Sequence, residues 1–480
     1  MKKQIMILAV CLIVAAALGG ALWFLMGYEP EGTSSSSSYT VDESLQLNQK
    51  SLNDLDSLKI QNETGSYTIR YLGDSQYTLQ ELENAPLNNS MLSSATSPAA
   101  AVVATSLVTE TPGNLSDFGL QSPRATLTAR YTDGSEFTLE LGSDAPGNNG
   151  IYGKVKGSDA VYLLSSYTFS NALRDKFEYV DLTVTEQPAT SEMDVLPERI
   201  VLGGSLRPEE LVIERNSGAS DDEKTYGLNL YRISAPKSRA VDSDSAVEAL
   251  QSLLSISAES AVAYQPDEAQ LAEYGLDTPY STAAFTYLDG EENTLSVSLS
   301  VSAADTQGFV YLLRDDRPVV YRMKAADLPW YDMTYGDFAA TLQLLPYIDS
   351  VRQVTVEASA GKTYIFDFEG EGDELQFKSD GKVLDDKQFR QYYQSLIGMP
   401  SEEYTEAQPP DESEALLKIT FTYRDASKKP DYIALLPGPT RRLFLSINGE
   451  AEFYTRSSYL DTILSNSEKI LAGETVDPLY

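Results

Sequence analysis

The chain repeats itself, and that constrains its fold more than any single motif. The segment Asp117-Phe118-Gly119-Leu120-Gln121-Ser122-Pro123 returns 156 residues later as Glu273-Tyr274-Gly275-Leu276-Asp277-Thr278-Pro279. Each copy leads into a strand pair around a turn: residues 125–131, Thr132-Asp133-Gly134 and 136–141 in the first, and 282–287, Asp289-Gly290 and 293–299 in the second. A third, more diverged copy starts at residues 417–425 and enlarges its loop to 426–430.

The equivalence extends both ways. Upstream lie alternating segments at 58–71, 199–215 and 351–368, then short strands at 77–79, 229–232 and 375–377. The next element in each unit reads as a helix, at 98–109, 244–254 and 385–396. In the second, Ala246, Leu250, Leu253 and Leu254 share a face behind an Asp244 or Ser245 cap; in the third, Phe389, Tyr392, Tyr393 and Leu396 do so. Downstream come strand pairs at 150–155 with 160–164, 308–313 with 319–323 and 443–447 with 452–455. Short closing helices follow at 167–174 and 458–465. The Phe/Tyr-Gly-Leu element reads as a helix stop: Gly275 takes a left-handed conformation after residues 266–274, Leu276 packs back and Pro279 enforces extended entry to the strand. The fold class is α+β, with repeated, mostly antiparallel sheet units and short helices. Boundaries fall near 185–193 and 335–349, and whether the units share sheets stays open.

The first residues place the rest. After Lys2 and Lys3, residues 5–26 are uncharged and apolar. At about 1.5 Å per residue such a helix covers roughly 33 Å, enough to cross a bilayer. A cleaved signal has a shorter apolar region, and Leu22-Trp23-Phe24-Leu25-Met26 continues past the small residues at 15–21, so an uncleaved anchor is the reading. The two lysines put the N-terminus in the cytoplasm and the bulk of the chain outside the cell membrane. Cys11, preceded by Val10 and followed by apolar sequence, reads as an intramembrane residue. The expected organisation is a cytoplasmic stub and single transmembrane helix at 1–28, a Ser-rich tether at 29–44, and α+β units at 45–188, 189–345 and 346–480.

Composition removes most chemistries. The sequence has no His and one Cys, which excludes a Ser-His-Asp triad, Cys-His dyads, His-built metal sites, internal disulfides and Cys-x-x-Cys redox chemistry. A net charge of −35 disfavours nucleic-acid phosphate. Individual motifs then fail on spacing. Asp367-x-Glu369-x-Glu371-Gly372 starts like a calcium loop, but Lys378 holds the twelfth position, where a bidentate acid is required. Ala360-Gly361-Lys362-Thr363 lacks the earlier glycine of a phosphate loop, since position 356 is Val356. Ser379-x-x-Lys382 encloses Asp380-Gly381 and reads as a hairpin turn; Gly203-x-Ser205 and Gly370-x-Gly372 are incomplete. The acid pairs Asp221-Asp222-Glu223, Asp315-Asp316 and Asp385-Asp386 read as turn and capping charges. Trp330, Tyr331 and Tyr335 form the densest aromatic cluster and read as sheet residues. No catalytic, cofactor-binding or metal residue is expected.

The order of anchor, Tyr77-Thr78-Leu79 strand, helix at 98–109, Phe118–Pro123, Asp133-Gly134, Tyr152-Gly153-Lys154-Val155 and Val161-Tyr162-Leu163-Leu164 resembles the domain of unknown function 4340 family. The second copy carries residues 274–279 and Phe309-Val310-Tyr311-Leu312-Leu313, so the resemblance covers most of 45–330. It implies a single-pass envelope protein of the kind encoded beside ABC-type transporter permeases, and it carries no catalytic residues. The expected function is therefore non-enzymatic: a membrane-anchored extracytoplasmic accessory or scaffold component of an ABC-type transporter or envelope complex. The alternative is a module binding wall polysaccharide or a solute. A third reading, a hydrolase built on two carboxylates alone, needs both acids in one cleft.

Overall fold

The computed structural model describes residues 43–186, 197–216, 218, 230–241, 245–288, 293–340 and 344–479. The apolar run at 5–26, most of the tether, Asp221-Asp222-Glu223, Asp244 and the Asp289-Gly290 turn lie outside these residues. Among the described residues no helix is long and apolar enough to cross a membrane.

Alternation of apolar and polar residues builds the central strands, because successive side chains point to opposite faces of a sheet. Ala125–Tyr131 buries Ala125, Leu127, Ala129 and Tyr131. Its counterparts Ser281–Leu288 and Leu417–Tyr423 bury Ser281, Ala283, Phe285 and Tyr287, and Leu417, Ile419, Phe421 and Tyr423. One face of each sheet is thereby committed to a core.

Three separate, wholly antiparallel sheets follow the same path. In the first, Leu55–Asn62, Gly65–Gly73 and Gln76–Leu79 run outward from the middle. The chain then crosses to the opposite edge, lays down Ser106–Thr109, and returns to the middle as Ala125–Tyr131 beside Leu55–Asn62. Glu136–Asp144, Ile151–Val155 and Val161–Leu164 fill the gap, the last pairing with Ser106–Thr109. The second sheet repeats this from Arg199–Gly203 to Val319–Lys324, with Ser260–Tyr264 as the far edge; the third runs from Val351–Ala358 to Glu450–Arg456, with Glu403–Tyr404 in that place. The first two sheets share one hydrophobic core, while the third has its own, around Phe366, Phe389, Tyr392 and Phe421.

The helices are α1 (Asn89–Ala100), α2 (Ser166–Phe169), α3 (Ser245–Ser252), α4 (Glu268–Glu273), α5 (Tyr335–Phe338), α6 (Asp386–Ile397) and α7 (Ser458–Ala472). The helix expected at 98–109 is displaced: α1 ends at Ala100, and Ala101–Val103 and Ser106–Thr109 are strands. A helix starting at 98 would put proline in the first turn, where it is favoured. It instead sits in the last turn, where the carbonyl it cannot serve, that of Ser94, accepts the Ser97 hydroxyl at 2.9 Å. The closing helix expected at 458–465 continues to Ala472. The Phe/Tyr-Gly-Leu stop forms in both copies. Gly119 and Gly275 adopt φ of 66° and 67°, and the amides of Leu120 and Leu276 turn back to the carbonyls of Leu115 and Leu271 at 3.0 and 2.8 Å.

Successive units meet in the same way. The 3-10 helix Lys176–Tyr179, last in the first unit, lies against edge strand Ser260–Tyr264 of the second. The chain between them is fixed by the Ala258 amide, which donates to the Leu182 carbonyl, and the Val184 amide, which donates to Ile256, each at 2.8 Å. At the next joint, α5 lies against Glu403–Tyr404, and the rings of Tyr335 and Tyr404 pack edge-on with centroids 5.3 Å apart.

Candidate functional site

A concavity arises where the first unit departs from the third. In the third unit, Phe389, Tyr392, Tyr393 and Leu396 of α6 face the core, and the fifteen-residue α7 covers that helix. The Tyr392 hydroxyl bonds Ser467 Oγ at 2.6 Å beneath it. In the first unit, the helix in the place of α7 is only the four-residue α2, extended by the 3-10 turn Ser170–Leu173.

The sequence of α1 fits that exposure. Leu92, Ala95, Thr96 and Ala99 form its buried face, while Ser90, Ser93, Ser94 and Ser97 line the opposite one at the same helical spacing. Asn88 caps the helix by accepting from the Met91 amide at 3.1 Å. Between the serine face and α2 lies an open groove of about 650 Å³, flanked by Tyr167, Asn171 and Arg174. Tyr167 is 89% exposed and stands at its rim.

The polar groups of the groove are turned toward accepting hydrogen bonds. Ser94 Oγ donates to the Ser90 carbonyl and Ser170 Oγ to Tyr167, both at 2.9 Å, which leaves the hydroxyl lone pairs free. Arg174 is held in place: Nε donates to Asn171 Oδ1 at 3.0 Å and Nη1 to Glu178 Oε2 at 2.7 Å. Glu178 offsets its charge, so the groove is close to neutral. No hydroxyl in it donates to a base, and its chemistry is that of binding a neutral, hydroxyl-rich molecule beside a tyrosine ring.

The second polar concentration lies at the joint between the second and third units. Glu452 is 8% exposed. Its carboxylate accepts from Arg239 Nη2 at 3.1 Å, from the Tyr335 hydroxyl at 3.0 Å and from Lys237. Burial works against its charged form, but the hydrogen bonds from Lys237, Arg239 and Tyr335 outweigh it and hold the carboxyl below the usual carboxylate range. Burial and Glu452 itself push the Tyr335 hydroxyl up. This constellation ties the second and third units together.

A family model settles the relationship. The domain of unknown function DUF4340 matches residues 78–228 and again 232–418. The chain belongs to that family. No curated protein matches it. The two DUF4340 matches begin at structurally equivalent strands, Gln76–Leu79 and Tyr231–Ala235, so the family unit and the sheet repeat have a common period while their boundaries differ.

In this DUF4340 chain the motifs rejected on spacing have structural places. Lys378 Nζ donates to Glu369 Oε2 at 2.5 Å, binding adjacent strands where a calcium loop would need an acid. Asp380 and Gly381, at φ of 48° and 74°, form the turn between Gln376–Ser379 and Lys382–Val383. Asp385 caps α6 by accepting from the Gln388 amide at 2.8 Å, and Asp386 accepts from Arg390 at 3.0 Å. Trp330, Tyr331 and Tyr335 are buried, but none is the sheet residue expected: Trp330 and Tyr331 lie in the connection before α5 and Tyr335 opens α5. Among the described residues no group of three or more metal-ligating side chains converges. The groove was missed in sequence because the register of α1 was misread; the signal was the serine spacing at 90, 93, 94 and 97 behind Asn88.

Proposed function

We propose that this DUF4340 protein is a non-enzymatic scaffold: anchored in the cell membrane by residues 5–26, it holds three extracytoplasmic units in a fixed row for protein partners, as an accessory component of an ABC-type transporter or envelope complex. The observation that carries the scaffold is the recurrent joint, in which the last short helix of one unit covers the edge strand of the next. Joints of this kind fix the spacing between units and cover strand edges that would otherwise pair indiscriminately. The apolar run and its two preceding lysines support the anchor and its orientation. The transporter association rests on the family resemblance.

The test is affinity purification of tagged full-length protein from detergent-solubilised membranes, read by quantitative mass spectrometry. Co-purifying permease and ATPase subunits are the expected result. Recovery of the protein alone, with transport unchanged when the exterior part is deleted, overturns the reading.

The serine-lined groove favours a second reading, a module that binds wall glycan or another hydroxyl-rich solute. Calorimetric titration with soluble wall fragments tests it, and absence of heat at millimolar ligand removes it.

A further inference from the structure

We propose that the groove between α1 and α2 takes a short stretch of glycan chain built from N-acetylated amino sugars, and that it reads their acetamido groups. The inference rests on the glycan-binding reading of this groove and narrows it to one class of sugar. The groove has two helical walls of equal spacing. Ser90, Ser93, Ser94 and Ser97 stand at i, i+3, i+4 and i+7 on α1; Tyr167, Ser170, Asn171 and Arg174 repeat those intervals along α2, its 3-10 extension and the cap that follows.

The walls differ in hydrogen-bonding sense. On the α1 side, Ser94 and Ser97 give their protons to the carbonyls of Ser90 and Ser94, each at 2.9 Å, which leaves their oxygens as acceptors. On the α2 side donors are in surplus. Arg174 commits Nε to Asn171 Oδ1 and Nη1 to Glu178, and that bond uses the Asn171 oxygen. Arg174 Nη2 and Asn171 Nδ2 meet no acceptor among the described residues.

A sugar hydroxyl could serve either wall. An acetamido group serves both together, because its carbonyl accepts while its N–H donates, and it adds a methyl. Met91 lines the same groove and offers that methyl a soft apolar surface. Tyr167, exposed at the rim, offers its ring face to a pyranose. An anionic sugar is disfavoured: the Arg174 guanidinium is already paired with Glu178 at 2.7 Å, and the chain carries a net charge of −35. From Ser90 to Ser97 the α1 wall runs about 10 Å, longer than one sugar ring, and a volume of about 650 Å³ suits a short oligomer.

The experiment is calorimetric titration of full-length protein in detergent with four probes. They are the β-1,4-linked trimer of N-acetylglucosamine, its single sugar, the trimer of glucosamine, and cellotriose, which keeps the linkage but has a hydroxyl in place of each acetamido group. The acetylated trimer is expected to bind at least about tenfold more tightly than each of the others. Tyr167→Ala should weaken both the acetylated trimer and cellotriose and keep their ratio. Arg174→Met should bring that ratio close to one; so should Asn171→Ala, which leaves the Arg174–Glu178 pair in place. Cellotriose binding as tightly as the acetylated trimer overturns the inference and leaves the glycan reading standing. Equal binding of the glucosamine trimer, which the acidic chain attracts by charge, or of the single sugar overturns it too, as does a ratio unchanged in both wall variants. Silence from all four probes overturns the inference alone, since titration with wall fragments remains the test of the broader reading.

Discussion

The hydroxyl of Tyr335, in the last helix of the second unit, donates to Glu452 of the third at 3.0 Å, across a sequence separation of 117 residues. The same carboxylate holds Arg239, whose side chain is only 10% exposed, at 3.1 Å. With Lys237 as well, one acid thus accepts from three donors of the second unit, and the relative placement of two sheets depends on its charge.

Removing that charge should loosen the joint. Glu452→Gln removes the buried one of the two carboxylates paired with the Arg239 guanidinium, the other being the exposed Glu450 at 3.0 Å, at a cost of about 3 kcal/mol. In calorimetry of the full-length protein the transition of the third unit should fall by roughly 6–12 °C. The carboxyl of Glu452 is held below its ordinary range, so its contribution is present above the unfolded-state value and is lost as pH falls through the folded-state one. The gap between wild type and variant should therefore narrow as pH drops from about 5 toward 3. A gap of under a degree at pH 7, or one that widens in acid, contradicts the assignment.

Gly336 is where that joint admits no side chain. A Cβ there would lie 2.3 Å from the Cβ of Tyr404 and 2.8 Å from its ring. Gly336→Ala should cost about 1–3 kcal/mol through forced displacement of the Tyr404 ring. The companion Tyr404→Ala, which makes room, should recover part of that loss in the double variant. Strict additivity in the double-mutant cycle would show that the two residues do not touch.

The two glycine helix stops should respond unequally to alanine. Both Gly119 and Gly275 have left-handed backbones, so each alanine costs about 1 kcal/mol on conformation alone. At Gly119 the added Cβ would also stand 2.7 Å from the Ser143 amide nitrogen, whereas at Gly275 its nearest neighbour is Ser302 Cβ at 3.5 Å. Chemical denaturation should find Gly119→Ala the more harmful by at least about 1 kcal/mol. Equal losses would mean that backbone conformation is the whole effect.

These contrasts mark what could be read from residues alone. The threefold plan was legible because alternation such as that of Leu417–Tyr423 and stops such as Tyr274-Gly275-Leu276 are local signals that tertiary packing reinforces. The position of α1 was not. Pro98 carries a strong first-turn preference, and only the Ser97 hydroxyl, bonded to the carbonyl that proline leaves unserved, makes its late position tolerable. The groove depends on a comparison sequence does not offer, the four residues of α2 against the fifteen of α7. The joint at Glu452 was equally hidden. Lys237, Arg239, Tyr335 and Glu452 lie on three distant segments, and each alone reads as an ordinary strand or turn residue.

Arg207 gives the last test, of a cation used as an internal brace. It is 5% exposed. Nε donates to the Met333 carbonyl and Nη2 to that of Trp330, both at 2.7 Å, while Nη1 reaches Ser281 Oγ at 2.8 Å. Burial pulls its pKa down to about 10, still well above neutrality, so the group remains charged. The planar fork is what lets one side chain serve the chain segment before α5 and the strand beginning at Ser281 together. A lysine offers a single ammonium that cannot span both, so Arg207→Lys should behave nearly as badly as Arg207→Met. Each should cost about 3 kcal/mol as carbonyls lose their donors. Trp330 is fully buried next to the brace, and its emission should shift to longer wavelength in both variants before global unfolding. A lysine variant with wild-type stability and an unshifted spectrum would show that charge alone, without the fork, holds the segment.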